Sequence, residues 1–179
     1  MRRMVTVYCG ASLVEPRYLE LAYSLGLSLA KNDWGLVSGC STLGMMGACA
    51  EGAISANGYT KGVTLSRFKN FHKGFDEIIS VATMRERKRL LIQFADAIII
   101  LPGGTGTMDE FFDAIVERSY SFHEKPIILI NYGGYWNSML QQLKHSRGEG
   151  FLKENSYFVV VEDSDRAIKL LIDYFSEEY

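Results

Sequence analysis

Residues 98–110 read IIILPGGTGTMDE, and this stretch decides the fold. Ile98, Ile99, Ile100 and Leu101 form an apolar run without polar alternation, the pattern of a parallel strand covered on both faces. The run breaks at Pro102 into a glycine-rich turn, and helical spacing begins near Met108. Gly103, Gly104 and Gly106 lack Cβ atoms, so the backbone can take positive φ and its amides can converge on an anion at the helix N-terminus. Strand, glycine turn and helix in that order describe a phosphate site.

The same unit recurs along the chain. Residues 5–9 read as a strand closed by Gly10, Ala11 and Ser12, and 16–31 as a helix. A strand at 34–37 runs into the small-residue loop Ser38-Gly39-Cys40-Ser41-Thr42-Leu43-Gly44. The helix at 45–56 carries Gly47, Ala48, Ala50, Gly52 and Ala53, small enough for close approach to the sheet. Further strands are expected at 62–65, 78–82, 97–101, 126–131 and 157–161, and helices at 84–95, 108–120, 135–144 and 165–175. Residues 66–77, polar and aromatic without a period, read as a loop or lid. The alternation predicts a Rossmann-like, doubly wound α/β parallel sheet with helices on both faces. A length of 179 residues, 47% hydrophobic, fits a single domain over 1–179. Ligands in such sheets sit at the carboxyl ends of strands, so both small-residue loops are expected in one crevice.

The formal charge of −2 argues against a general nucleic-acid or membrane binder, while leaving room for a small anion held by local donors. Cys9, Cys40 and Cys49 are odd in number, without C-x-x-C spacing or clustered histidines, so neither a disulfide framework nor a metal site is indicated; reduced thiols suit a cytoplasmic protein. The first apolar run is short and meets Glu15 and Pro16 instead of a cleavage site. No run approaches the roughly 20 apolar residues of a membrane helix.

Neither G-x-x-x-x-G-K-[ST] nor G-x-G-x-x-G is present in the second loop. Thr107-Met108-Asp109-Glu110 matches the S/T-x-x-E capping box, which would explain both Thr107 and Glu110 structurally. Equally, Glu110 in the first helical turn can be an ionised carboxylate beside the phosphate loop, favoured by the helix dipole. Both readings stand at this point. In Met84-Arg85-Glu86-Arg87-Lys88-Arg89, projection at about 100° per residue puts Arg87 among Met84, Leu90, Leu91, Phe94 and Ala95, with Lys88 at the edge. A buried unpaired guanidinium is costly, so Arg87 should meet a carboxylate, a phosphate or a subunit interface. His72, His123 and His145 suit surface or packing roles. The segment Tyr132-Gly133-Gly134-Tyr135-Trp136 is either a third loop at the crevice rim or aromatic packing.

These residues resemble the Lonely Guy (LOG) family of cytokinin riboside 5′-monophosphate phosphoribohydrolases, a family also carried under the name lysine decarboxylase. The resemblance runs from Cys9-Gly10-Ala11-Ser12 to about Phe151. It is most specific in P-G-G-x-G-T-x-x-E at Pro102 to Glu110 and M-x-E-R-K at Met84 to Lys88. It implies hydrolysis of the N-glycosidic bond of a nucleoside 5′-monophosphate, AMP or a cytokinin riboside 5′-monophosphate, to free base and ribose 5-phosphate, with no cofactor. It also implies that Arg87 and Glu110 are the catalytic pair. Substrate-binding positions are implied at Ser12, Gly39, Met84 and Lys88, and along Gly103, Gly104, Thr105, Gly106 and Thr107. A homodimer with sites near the subunit interface is implied too. Two departures stand out: Ser38-Gly39-Cys40 replaces the usual G-G-G, and Arg85 replaces a common histidine.

Two other functions are compatible with single features. A nucleotide-binding sensor or carrier without turnover would be consistent with side chains at 38 and 40 restricting the loop. A pyridoxal phosphate-dependent lysine decarboxylase is suggested by His72-Lys73, although the chain is too short for the usual large and small domains of such enzymes.

Overall fold

The computed structural model describes residues 2–69, 71–152 and 157–177. Among these, seven strands and six α-helices alternate except between β3 and β4: β1 (Met4–Tyr8), α1 (Pro16–Lys31), β2 (Gly35–Ser38), α2 (Gly44–Ser55), β3 (Thr60–Leu65), β4 (Glu77–Val81), α3 (Met84–Gln93), β5 (Ala97–Ile100), α4 (Thr105–Ser119), β6 (Ile127–Ile130), α5 (Asn137–Gly148), β7 (Val159–Val161) and α6 (Ser164–Glu177). All pairings are parallel, in the order β4-β3-β2-β1-β5-β6-β7. β5 is inaccessible along its whole length, as an unalternating apolar run requires.

One core lies under α1, α2 and α6, with Leu25, Met45, Ala50 and Leu171 against Val7 and Ile99. The other lies under α3, α4 and α5, with Leu91, Phe111 and Trp136 against Tyr8 and Ile98. Adjacent residues of one strand thus serve opposite faces, and the doubly wound α/β sheet is as expected. Strand order reverses at β1 and β5, so the loops leaving their carboxyl ends diverge and open a crevice.

Several local expectations are corrected. Gly52 serves α1 more directly than the sheet: a Cβ there would lie 2.1 Å from the Tyr23 carbonyl oxygen, and one on Gly26 2.0 Å from that of Cys49. The two helices therefore pack backbone to backbone. β3 begins two residues earlier than expected, β7 is shorter than the expected 157–161, and α5 starts after a 3₁₀ turn at Tyr132–Gly134. Residues 66–76 join β3 to β4 without a helix or strand, in keeping with a loop; position 70 lies outside the described residues. The most consequential shift is α4, which starts at Thr105 instead of near Met108.

Candidate active site

Because α4 starts at Thr105 with Gly104 as its N-cap, Thr107 is already helical. The capping box proposed for Thr107 and Glu110 is therefore not formed. A different T-x-x-E does the capping, on α3: Thr83 Oγ1 accepts the Glu86 amide at 3.2 Å, and Glu86 Oε2 accepts the Ala82 amide at 3.3 Å. Released from a capping role, Glu110 points inward from the second turn of α4 and is 6% exposed.

There it meets Arg87. Arg87 is 7% exposed, as the helical projection required, and its Nη1 donates to Glu110 Oε1 at 2.8 Å. The expected partner is thus a carboxylate of the same chain. Arg87 Nε donates to the Val63 carbonyl at 3.0 Å, so the end of β3 fixes the guanidinium plane. A Cβ on Gly39 would fall 1.8 Å from Arg87 Nη2. A side chain at 39 would displace the arginine from this seat, a reason invisible in the local sequence. Burial pushes the Glu110 carboxyl above its ordinary range, and the facing guanidinium opposes that rise. The rise is opposite to the effect expected from the helix dipole alone.

The pair closes one end of a crevice of about 390 Å³ lined by all three loop ends: Gly10 to Ser12 after β1, Gly39 to Ser41 after β2, and Gly104 to Thr107 at the start of α4. Such a volume suits a small-molecule ligand. The first intrahelical bond of α4 is that of the Met108 amide to the Gly104 carbonyl, at 3.0 Å. The amides of Thr105, Gly106 and Thr107 therefore precede it and can serve an anion. None of Gly103, Gly104 and Gly106 has positive φ, which corrects the reason given for these glycines. A Cβ on Gly103 would collide with Thr107 Oγ1 at 2.1 Å, whereas Cβ atoms on Gly104 and Gly106 would meet nothing within 4 Å. At the last two a Cβ would stand in the open space of the crevice, so no contact within the chain requires glycine there.

Of the positions implied by the resemblance, Ser12, Gly39, Met84, Arg87 and Glu110 line the crevice together with Gly104, Thr105, Gly106 and Thr107. Gly103 lies behind the loop, against a second cavity. Lys88 is directed elsewhere: its ammonium bridges Asp109 at 2.9 Å and Asp113 at 3.4 Å, tying α3 to α4. Met84, placed on the apolar side by projection, is 40% exposed at the crevice mouth. Met46, Thr64 and Phe68 also line the crevice and were not singled out from sequence. Thr64 could have been found from its place at the carboxyl end of a strand. Phe68 belongs to the 66–76 loop, which is fastened by the His72 amide to the Cys40 carbonyl at 2.9 Å and by His72 Nε2 to Glu51 at 2.8 Å.

The departures at 38 and 40 are absorbed within the loop. Ser38 Oγ accepts the Cys40 amide at 3.2 Å. Cys40 holds φ at 64°, costing about 1–2 kcal/mol for a residue with a Cβ. Its side chain is fully buried, close to Gly62, and its Sγ bonds the His72 carbonyl. Burial raises the Cys9, Cys40 and Cys49 thiols, Cys49 to about 12, so none is poised as a thiolate.

The residues do not fit pyridoxal phosphate. Lys73 is exposed, and among the described residues no lysine lines the crevice. Among the described residues, no group of three or more His, Cys, Asp or Glu is placed to hold a metal ion, and no helix is long and apolar enough to cross a membrane.

Residues 46–171 match the family model described as "Possible lysine decarboxylase". A protein of Rhodococcoides fascians named cytokinin riboside 5′-monophosphate phosphoribohydrolase is 34% identical over 173 residues, covering 93% of this chain and 87% of its own. A Mycobacterium tuberculosis protein of the same name is 35% identical over 171 residues, covering 92% and 91%. Among solved structures, the molybdenum cofactor binding protein of Rippkaea orientalis superposes with a TM-score of 0.78 over 98% of both chains at 23% identity, a likeness of fold. With residues of both motifs lining one crevice, the chain belongs to the family that unites the "Possible lysine decarboxylase" model with the cytokinin riboside 5′-monophosphate phosphoribohydrolases.

Proposed function

We propose that the protein hydrolyses the N-glycosidic bond of a nucleoside 5′-monophosphate, AMP or an N6-substituted cytokinin-like derivative, giving free base and ribose 5-phosphate. The observation that carries this is the buried Arg87–Glu110 pair beside an open helix N-terminus. The α4 amides take the 5′-phosphate, where the helix dipole favours negative charge. Anchoring the phosphate sets C1′ toward Glu110. As the C1′–N bond breaks, its electron pair leaves with the base and positive charge grows on the sugar. The Glu110 carboxylate stabilises that charge and accepts the proton of the water whose oxygen bonds to C1′, and that proton then passes to the departing base nitrogen, giving the neutral base and restoring the carboxylate. Arg87 holds the carboxylate in place and keeps a buried negative charge paired.

Incubation with AMP and isopentenyl-AMP, followed by chromatography for free base, tests the assignment; release from neither overturns it. AMP binding without turnover would instead make the protein a sensor or carrier.

Gly104→Ala probes the phosphate position separately. Because its Cβ meets nothing in the chain, the melting temperature is expected to stay within about 1 °C. A methyl group intruding on the phosphate should weaken AMP binding about tenfold or more. Unchanged affinity by calorimetry would place the phosphate elsewhere.

We also assign a single domain, a homodimer and a cytoplasmic setting. Exposed Val116, Tyr120 and Phe122 on and just after α4 offer apolar surface for a second copy, and three buried free thiols suit a reducing compartment.

A further inference from the structure

The Tyr132–Trp136 segment contacts the phosphate loop. Tyr135 donates its hydroxyl to the Gly103 carbonyl at 2.8 Å. The turn that delivers it is specifically built. Gly133 and Gly134 take φ of 58° and 76°, in the left-handed region glycine favours. Asn131 Oδ1 accepts the Trp136 amide at 2.7 Å, while its Nδ2 donates to Asn137 Oδ1 at 2.8 Å. Tyr135 also meets Tyr18 and Trp136 edge to face, with centroids 6.0 and 4.8 Å apart. These contacts hold the partly exposed ring beside the loop, where it and Gly103 line a cavity of about 240 Å³.

We propose that Tyr135 is a positioning residue for phosphate binding, acting through the Gly103–Gly104 peptide. In a trans peptide the carbonyl and the following amide point opposite ways. Holding the Gly103 oxygen toward Tyr135 therefore turns the Gly104 amide toward the crevice, beside those of Thr105, Gly106 and Thr107. Without that anchor the peptide plane between two glycines is free to rotate, because neither residue carries a Cβ to restrain it. A rotated plane presents a carbonyl oxygen to the phosphate, replacing attraction with repulsion. This inference rests on the phosphate position in the proposed function.

Tyr135→Phe removes the hydroxyl and keeps the ring. It is expected to raise KM for AMP about fivefold, in the range of one lost hydrogen bond, and to weaken inhibition by inorganic phosphate equally. kcat should stay within about twofold, since the reacting centre is untouched. Tyr132→Phe, on the same turn, should behave as wild type. A wild-type KM and phosphate inhibition in a Tyr135→Phe protein of normal melting temperature overturns the inference alone. So does a loss confined to kcat, or an equal defect in Tyr132→Phe. A wild-type protein that neither binds AMP nor releases base overturns the functional reading and this inference with it.

Discussion

Glu110→Gln is expected to lower kcat for base release about 10²- to 10³-fold, the usual cost of losing one preorganised electrostatic contact to a transition state. The substitution preserves size and an oxygen for Arg87 Nη1 while removing the negative charge that faces the sugar. AMP binding should change little, because the proposed mechanism assigns phosphate recognition to the α4 amides; the loss should therefore appear in kcat and not in KM. The wild-type pH profile gives a second reading of the same group. Burial raises the Glu110 carboxyl, so the ionised form needed for catalysis is lost on acidification at a higher pH than for an ordinary glutamate. Activity should fall as pH drops through that raised value, and the limb should be missing from the residual activity of Glu110→Gln. Wild-type turnover by the variant would remove Glu110 from the mechanism.

Arg87→Ala is expected to have the largest effect on stability. It leaves the Glu110 carboxylate buried without its cation and empties the space beside Gly39, a combination that typically costs about 3–5 kcal/mol. For a chain of this length that lowers the melting temperature by roughly 10 °C. The deficit should depend on pH in a definite direction. A carboxyl whose folded pKa lies above its unfolded value binds more protons in the native state. Stability then falls as pH rises from the unfolded value through the folded one. Losing the guanidinium, which opposes the rise, extends that window upward. Thermal melts should therefore show the variant closest to wild type at acid pH and furthest from it near neutrality. A deficit independent of pH would mean that packing, and not the orphaned charge, sets the cost.

Both expectations depend on a contact between residues 23 apart in sequence, on different helices. Spacing alone placed Arg87 on the inward side of α3, because helical periodicity is local. It could not choose among a carboxylate, a phosphate and a subunit interface, since that depends on which element packs opposite. The two T-x-x-E tetrads make the same point. Thr83 to Glu86 and Thr107 to Glu110 are alike as patterns, yet only the first caps a helix. β5 ends so that the chain turns helical at Thr105, three residues before the expected start, and the second tetrad falls inside α4.

Local patterning sufficed for the strand–loop–helix order, the buried character of β5, the inward face of Arg87 and a glycine turn leading into a helix. All of these follow from periodicity and from which residues lack a Cβ. Long-range packing accounts for the glycines: a Cβ at Gly39 would meet Arg87 and one at Gly103 would meet Thr107, while those at Gly104 and Gly106 would meet nothing. It likewise decided that Lys88 braces two helices and that Tyr135 bonds to the loop. The physical reason is range. Backbone conformation and amphipathic faces are set within a few residues, whereas the partner of a buried polar group is set by sheet order, which here brings the ends of β1, β2, β3 and β5 around a single crevice.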